Sequence, residues 1–315
     1  MYDTHSKGIS YANGFLVLIG LWLAGFIAGG VLSIPIWVAM TGKGIMSMPA
    51  EMLDPANINA VRMIQVVSTA TSFFLPALFT ALIINRRPAK WLGYTMRFNY
   101  RQLLLALGIM FTAALAAAAL AQLNEQIPIP KNAADYFRKL EDNYSRQVEA
   151  MTSIRTFSDY IIALIMIALL PAIFEETFFR GGMQNLLTRW SGKPWLAILI
   201  TSLIFSIIHL SYYGFLARVC LGVVLGLIFY YSRSLWLSIT AHFFNNAIAV
   251  TQMYILIRQG KAPKDALNET YPLWWGIVGA ILLYMLFIRF KKVSAKSVKK
   301  FTAPEDRALE EKWIA

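Results

Sequence analysis

The stretch FEETFFR at residues 174–180 places two adjacent carboxylates and an arginine at the end of an apolar run, residues 161–173. A carboxylate inside a bilayer costs a few kcal/mol, so such residues are rare and usually face a cavity or a partner. On a helix, Glu176 and Arg180 are four residues apart and share one face, within reach of an ion pair. Glu175 points about 100° away from that pair. We predict that Glu175 carries out chemistry while Arg180 holds Glu176 in place, and we favour this over a solvated charge cluster at a helix end.

The composition predicts a polytopic helical membrane protein. Of the 315 residues, 57% are hydrophobic and only 15% are charged, whereas globular domains usually carry about a quarter of charged residues. The mean hydropathy is +0.54, and several apolar runs approach the roughly 20 residues that a helix needs to cross a bilayer. We therefore predict an all-α fold with a bundle of about eight transmembrane helices, at residues 15–40, 63–85, 103–123, 160–189, 194–210, 215–231, 235–257 and 272–290.

The formal charge of +12 indicates membrane topology rather than a nucleic-acid partner, because the basic residues lie at the ends of apolar runs. The short loop with Arg86, Arg87 and Lys90 is the strongest orientation signal, and the positive-inside rule places it in the cytoplasm. Eight spans then put both termini in the cytoplasm. The lysines of residues 291–300 agree with this orientation, and we expect this basic tail to contact anionic lipid. Short turns and the absence of targeting signals favour a bacterial inner membrane.

Small residues in two predicted spans favour close helix packing. Gly25, Gly29 and Gly30 lie in the first span, and Gly222 and Gly226 lie in the sixth. Glycine allows two helix backbones to approach closely in a membrane. We therefore expect these five positions to lie at helix contacts.

The chain divides into three parts by content. Residues 1–157 hold three spans and an outer amphipathic helix, residues 158–256 hold the polar motifs, and residues 257–315 hold the last span and the basic cytoplasmic tail. Apolar residues recur at helical spacing over residues 132–156, and a surface helix that covers the bundle is favoured there over a substrate gate. The single cysteine, Cys220, excludes an intramolecular disulfide.

Two histidines lie within predicted spans and share helix faces with other candidate residues. Phe205 and His209 are four residues apart, as are His242 and Asn246. A lone histidine on an apolar helix is more often a packing residue than a catalytic one. Counted from the basic residues at the inner ends of the spans, Glu175, His209 and Asn246 lie about 20 Å deep, and His242 lies somewhat shallower. This count supports convergence of the side chains from three helices.

The chemistry that these residues favour is activation of water. A glutamate shielded from solvent can act as a general base near neutral pH, and a neutral histidine can help to hold the water. The second histidine and Asn246 can donate hydrogen bonds to an oxyanion that forms on a carbonyl. Zinc is the competing use of Glu175, His209 and His242. We favour a water held without metal, since the zinc signal is ambiguous. Pro171 either opens a water pocket beside the site or is an ordinary kink.

The motifs E-E-x-x-x-R from Glu175, F-x-x-x-H from Phe205 and H-x-x-x-N from His242 occur in this order on successive late spans. Together they resemble the three motifs of the CAAX prenyl protease 2/bacteriocin-processing family (CPBP, or Abi) of intramembrane proteases. The resemblance covers residues 158–256. It implies that Glu175 activates water with His209 as its partner. It further implies that His242 and Asn246 stabilise the oxyanion, and that Glu176, Arg180 and Phe205 are structural or accessory.

The resemblance implies an endopeptidase acting on a membrane-associated peptide or protein. Eukaryotic members cleave prenylated CAAX proteins, bacterial relatives are linked to bacteriocin maturation and self-immunity, and some members are described as metal-dependent. Two alternatives from other classes remain: a non-catalytic membrane binding or bacteriocin self-immunity protein, and a proton-coupled transporter, in which buried carboxylates and histidines relay protons. Transport is the least favoured, because the chain lacks paired broken helices in related halves.

Overall fold

The computed structural model describes residues 5–151, 156–260 and 272–301, and these residues form mainly long helices with no strand among them. Two of the helices contain segments of π-helix. In a π-helix, each backbone hydrogen bond joins residues five apart instead of the four of an α-helix. In chain order the helices are α1 (Tyr11–Thr41), α2 (Pro55–Ile84, with a π segment at Ala70–Phe74), α3 (Tyr100–Glu125), α4 (Lys131–Met151), α5 (Phe157–Ser191, with π segments at Leu164–Leu169 and Thr177–Gln184), α6 (Pro194–Ile208), α7 (Phe215–Ser232), α8 (Leu235–Arg258) and α9 (Leu273–Phe301).

The all-α membrane fold predicted from the composition is confirmed. Six of the described helices are long and apolar enough to cross a bilayer: α1, α2, α3, α5, α7 and α9. The protein is therefore an integral membrane protein. The count of eight spans is not confirmed, because α6 and α8 do not meet the same criterion. With 15 residues, α6 is about 22 Å long, which is shorter than the roughly 30 Å hydrocarbon core. The 24-residue α8 is long enough but carries polar side chains.

The last helix is longer than the predicted span at residues 272–290. It continues to Phe301, so the lysines of residues 291–300 extend α9 instead of forming a separate tail. The extension packs on the start of α3, where Gln102 donates to Ser294 Oγ (3.1 Å) and Asn99 donates to Ser297 Oγ (2.7 Å). The rest of the predicted basic tail, most of the polar loop at residues 258–271, and residues 152–155 of the predicted outer helix lie outside the described residues.

Local sequence signals define several helix ends. Asn99 caps α3 and Thr156 caps α5, each as a reciprocal capping box with the side chain three residues later. Gly192 ends α5 with a φ of 67°, a left-handed conformation that glycine adopts without steric cost. Arg233 holds the turn between α7 and α8 with a φ of 57° although it is not glycine. These turns let α5, α6, α7 and α8 follow one another as antiparallel neighbours.

Glycines mediate close packing at four of the five predicted positions. A Cβ on Gly25 would lie 2.0 Å from Thr71 O, and one on Gly29 would lie 2.7 Å from Thr71 Oγ1. A Cβ on Gly222 or Gly226 would lie about 3 Å from side chains of α5 and α6. The prediction for Gly30 is wrong, since no atom lies within 4 Å of the corresponding position. Gly30 faces away from α2, because it is one residue past the contact face of α1.

The centre of the bundle is α5, whose residues 176–188 are all buried. One apolar cluster forms on its side facing α1, α2 and α6, around Phe178, Phe179, Met183 and Leu186. A second cluster joins α3, α7, α8 and α9. The charged stretch FEETFFR therefore lies inside the protein, between helices that come from both halves of the chain.

Candidate active site

Glu176 lies at the centre of a buried polar network. Its side chain has no exposed surface, and it accepts hydrogen bonds from Arg180 Nη1 (2.5 Å), His242 Nδ1 (2.9 Å) and Ser238 Oγ. Arg180 comes from the next turn of α5, and the other two donors come from α8. A buried carboxylate is tolerated when its acceptor sites are satisfied in this way. The carboxylate of Glu176 therefore links α5 to α8 through its hydrogen bonds.

Arg180 extends this network to α7 and α6. It is fully buried, its Nη2 donates to Gly222 O (3.0 Å), and its guanidinium lies 5.0 Å from the ring centre of Phe205. One turn further along, Gln184 Nε2 donates to Gly226 O (3.0 Å). Two side chains of α5 that are four residues apart thus bind two backbone carbonyls of α7 that are also four residues apart. The ion pair between Glu176 and Arg180 that the spacing predicts is present.

His242 lies between the two glutamates. Because a carboxylate only accepts hydrogen bonds, the contact with Glu176 assigns a proton to Nδ1 of His242. The other ring nitrogen, Nε2, lies 4.0 Å from Glu175 Oε2. The imidazole is therefore oriented by one glutamate and faces the other.

His209 follows the last residue of α6, where the chain turns towards α7. Its Nδ1 lies 2.7 Å from Phe205 O, and since a carbonyl only accepts, Nδ1 carries the proton and Nε2 is left as an acceptor. The Phe205 ring packs against both imidazoles, with centroid distances of 4.6 Å to His209 and 6.0 Å to His242.

Glu175 and Asn246 are partly accessible. The side chain of Glu175 is 15% exposed, whereas that of Glu176 is completely buried. Asn246 lies one turn beyond His242 on α8, and its Oδ1 accepts a hydrogen bond from Asn245 (3.4 Å). Within the described residues, Asn246 has no hydrogen bond to either glutamate. The structure thus packs His209 and His242 against the Phe205 ring and places Glu175 4.0 Å from His242, with Asn246 one turn further along α8.

The sequence of the segment that carries the site matches one known family model. Residues 157–248 match the family model for Rce1-like proteins, the type II CAAX prenyl endopeptidases. This segment of the chain is similar to the Rce1-like family. The resemblance drawn from the three motifs is thereby confirmed for less than a third of the chain. No curated protein and no solved structure matched. The Rce1-like segment runs from the start of α5 into α8 and contains every candidate site residue named above.

Two residues of the Rce1-like segment contribute to the site although the sequence analysis did not single them out. Ser238 is the third donor to Glu176. Thr177 directly follows Glu176, and its hydroxyl is hydrogen-bonded to that of Tyr94, which lies outside the segment. The spacing of Ser238, His242 and Asn246 at four-residue intervals was a usable signal for Ser238, because it places all three on one face of α8. Thr177 carries no such signal, since its partner lies 83 residues away.

The alternative zinc set of Glu175, His209 and His242 is not gathered into a metal-binding group in this arrangement. Among the described residues, no three His, Cys, Asp or Glu side chains come close enough together to hold a metal ion. Both imidazoles donate from Nδ1 within the protein, which leaves Nε2 of each as the nitrogen that a metal would bind. The reaction without a metal stays a prediction.

The water pocket predicted beside Pro171 stays a prediction. The structure has a mainly apolar cleft there, between α2 and α5, with an empty volume of about 130 Å³. Its lining residues are Gln65, Val66, Thr69, Met166, Leu170, Pro171 and Phe174.

Proposed function

We propose that this protein is an intramembrane endopeptidase in which Glu175 activates the water that hydrolyses a peptide bond. The family of the Rce1-like segment supports an endopeptidase. The observation that carries the proposal is the different environment of the two glutamates. Glu176 accepts three hydrogen bonds and has no exposed surface, whereas Glu175 is partly accessible and faces Nε2 of His242 at 4.0 Å.

The proposed reaction uses Glu175 as general base and His209 as its partner. Glu175 takes a proton from water, the hydroxide attacks the carbonyl carbon, and the same proton then passes to the nitrogen of the leaving group. His209, with its proton on Nδ1, presents Nε2 as an acceptor that helps to orient the water. Removal of a positioned general base typically lowers the rate by 10²- to 10⁴-fold.

His242 and Asn246 are proposed to stabilise the oxyanion. Donation from His242 requires a proton on Nε2 as well as on Nδ1, and the carboxylate of Glu176 is placed to balance the charge of that imidazolium. Asn246 would donate from its amide nitrogen, because its Oδ1 already accepts from Asn245. Both donors lie on α8, so a carbonyl held beside Glu175 would meet them from one side.

The proposed substrate is a peptide or protein associated with the membrane, with or without a lipid anchor. We further propose that the protein lies in a bacterial inner membrane with both termini in the cytoplasm. The exposed face of the extended α9 supports contact with anionic lipid, because Ser294 and Ser297 dock on α3 while the lysines face outwards. These exposed lysines are Lys291, Lys292, Lys296 and Lys299.

The test is cleavage of a reporter peptide by the purified protein in liposomes. We expect Glu175→Gln and His209→Ala to lower the turnover rate by roughly 10²- to 10⁴-fold, with unchanged helical content and thermal unfolding. Glu125→Gln is the matched control, since Glu125 is exposed at the end of α3, and it should cleave like the wild type. Full activity of Glu175→Gln would remove the mechanism. A wild type that binds the peptide without cleaving it would support the non-catalytic alternative.

Metal dependence is tested separately on the wild type. We expect prolonged treatment with a strong chelator, followed by dialysis, to leave the rate of reporter cleavage unchanged. Loss of activity that returns when zinc is added would contradict the metal-free mechanism. The same samples, measured for bound metal by mass spectrometry, show whether a metal copurifies with the protein.

A further inference from the structure

We propose that Tyr94, which lies outside the Rce1-like segment, is a positioning residue for Glu175 and Glu176. Its hydroxyl group binds Thr177 and so holds the turn of α5 that carries both carboxylates. Among the described residues, Tyr94 has no hydrogen bond to either glutamate, so its hydroxyl would act on the reaction through Thr177. The inference rests on the proposed function, because it concerns the placement of the proposed general base.

The hydrogen bonds at Thr177 define the direction of this contact. Thr177 Oγ1 donates to Ile173 O (2.6 Å), which uses its only proton. The hydroxyl of Tyr94 lies 2.5 Å from the same oxygen and is therefore the donor. The bond from Thr177 to Ile173 closes one turn of α5, and Glu175 and Glu176 lie within that turn. A chain of two hydrogen bonds thus runs from Tyr94 to the backbone of the glutamate turn.

This turn has a particular need for external support. The π segment of α5 begins at Thr177, so the regular ladder of α-helical backbone bonds ends at the glutamates. π segments are rare, and they often occur at functional sites. The side-chain bonds of Thr177 and Tyr94 add fixed contacts where the backbone pattern changes.

The loop that carries Tyr94 is docked along one face of α5. Asn185 Nδ2 donates to Trp91 O (2.7 Å). A Cβ on Gly181 would lie 2.8 Å from Leu92 O, so a larger residue would push the loop away. Thr177, Gly181 and Asn185 recur every four residues and form a stripe against which residues 91–94 pack. The position of Tyr94 is therefore fixed at several points.

The same loop also holds the beginning of α8, the helix that carries His242. Leu235 N donates to Gly93 O (2.7 Å), and Ser234 Oγ donates to Thr95 O (2.7 Å). The ring of Tyr94 packs against Trp236 with a centroid distance of 5.4 Å. The loop thereby joins the helix of the glutamates to the helix of the histidine. This connection fixes the approach of Glu175 and His242 from outside the matched segment.

Burial of Tyr94 between these helices also keeps its hydroxyl protonated. Desolvation raises the pKa of Tyr94 above its ordinary value of 10.0, and the hydrogen bond to Thr177 only partly offsets this effect. Tyr94 therefore remains a donor at all pH values at which the protein would act.

The test compares two tyrosines that make the same kind of bond. Tyr94→Phe removes only the donor to Thr177, whereas Tyr160→Phe removes the bond between Tyr160 and Thr251 Oγ1 (2.9 Å), which also joins α5 to α8. In the reporter assay, Tyr94→Phe should lower kcat roughly three- to tenfold with an unchanged KM, because substrate contacts stay intact. Tyr160→Phe should leave kcat and KM at the wild-type values. Equal effects of the two variants would overturn the proposal.

Variants of Thr177 show whether Tyr94 acts through it. Thr177→Val keeps the shape but loses the hydroxyl, and it should lower kcat about as much as Tyr94→Phe. Thr177→Ser keeps the hydroxyl and should restore most of the rate. The double variant Tyr94→Phe with Thr177→Val should be no slower than the slower single variant, since both changes remove the same contact. Multiplicative effects would show that Tyr94 acts by another route.

A readout without turnover separates this inference from the proposed function. Hydrogen exchange of the backbone amides of residues 175–180, followed by mass spectrometry, should become faster in Tyr94→Phe and stay unchanged in Tyr160→Phe. If the wild type cleaves no reporter, the proposed function fails while the exchange data still test the positioning role. Unchanged exchange in Tyr94→Phe would overturn that role even if the protein is a protease.

Discussion

At the scale of single residues, Glu175 and Glu176 are neighbours in the sequence but lie in different environments. The angle of about 100° between successive residues of a helix separates their side chains. Glu176 turns towards Arg180 and α8, where it is completely buried, and Glu175 turns towards the accessible side of the site. The loss of one partner from a buried ion pair typically costs about 3–5 kcal/mol, because the other charge remains unpaired. The stability of the protein therefore depends on keeping both Glu176 and Arg180.

Two substitutions of His242 separate its two ring nitrogens. In His242→Asn, the side-chain amide can take the place of Nδ1 and keep the bond to Glu176, whereas the position of Nε2 becomes empty. We expect this variant to lose activity while its free energy of unfolding stays within about 1 kcal/mol of the wild type. His242→Ala should lose activity and also about 1–3 kcal/mol of stability, because Glu176 loses a donor.

The measurement combines reporter cleavage with unfolding in detergent, followed by circular dichroism. Wild-type activity in His242→Asn would show that Nε2 is not required, which contradicts its proposed role at the oxyanion. Equal stability of the two variants would show that the bond from Nδ1 to Glu176 contributes nothing.

At the scale of elements, the turn between α6 and α7 is held by α4. Ser211 Oγ donates to Glu141 Oε2 (2.8 Å), and the rings of Phe137 and Tyr212 stack at 4.9 Å. His209 immediately precedes this turn. The predicted outer amphipathic helix therefore covers the end of α6 that carries a site residue, and its apolar face is placed by that contact.

The packing of α1 against α2 can be tested at two glycines of one helix. A Cβ at Gly25 would lie 2.0 Å from the backbone oxygen of Thr71, whereas a Cβ at Gly20 would have no atom within 4 Å. We expect Gly25→Ala to lower the free energy of unfolding by about 1–3 kcal/mol, because a backbone has to shift. Gly20→Ala should change it by no more than about 0.5 kcal/mol. Thermal unfolding of both variants in the same detergent checks this difference, and similar values for the two would show that α1 is not closely packed at Gly25.

At the scale of the whole molecule, the predicted side of the two termini does not depend on whether α6 and α8 cross the membrane completely. Six spans without these two helices and eight spans with them are both even numbers of crossings. The orientation set by the basic loop at residues 86–90 therefore predicts cytoplasmic termini for either geometry.

A matched pair of methionines tests this topology. Met46 follows α1 and is 91% exposed, and Met96 follows α2 and is 73% exposed. In a Cys220→Ser background, we expect an impermeant maleimide to label Met46→Cys in intact cells and Met96→Cys only after the membrane is opened. The reverse pattern would invert the topology, and labelling of both in intact cells would show that one of the two helices does not span.

The sequence by itself determined the all-α membrane fold, the ion pair of Glu176 and Arg180, and the three motifs that the matched segment contains. Apolar runs and the i, i+4 spacing gave these results because both depend on residues close together in the chain, whereas the count of eight spans is not confirmed. Counting depth along straight helices predicted that side chains from three helices converge, and Nε2 of His242 does lie 4.0 Å from Glu175 Oε2. The depths themselves stay predictions. Two π segments in α5 change the angle per residue, which such a count does not include.

Only the tertiary structure decided which side chains from other helices and loops support the glutamates. Ser238 comes from α8, and Tyr94 reaches Thr177 across 83 residues of sequence. In a membrane protein, a residue that faces lipid and one that faces the core are both apolar, so hydropathy does not show which helix faces meet. Contacts between distant helices depend on their relative placement, and this is set by packing in three dimensions rather than by local pattern.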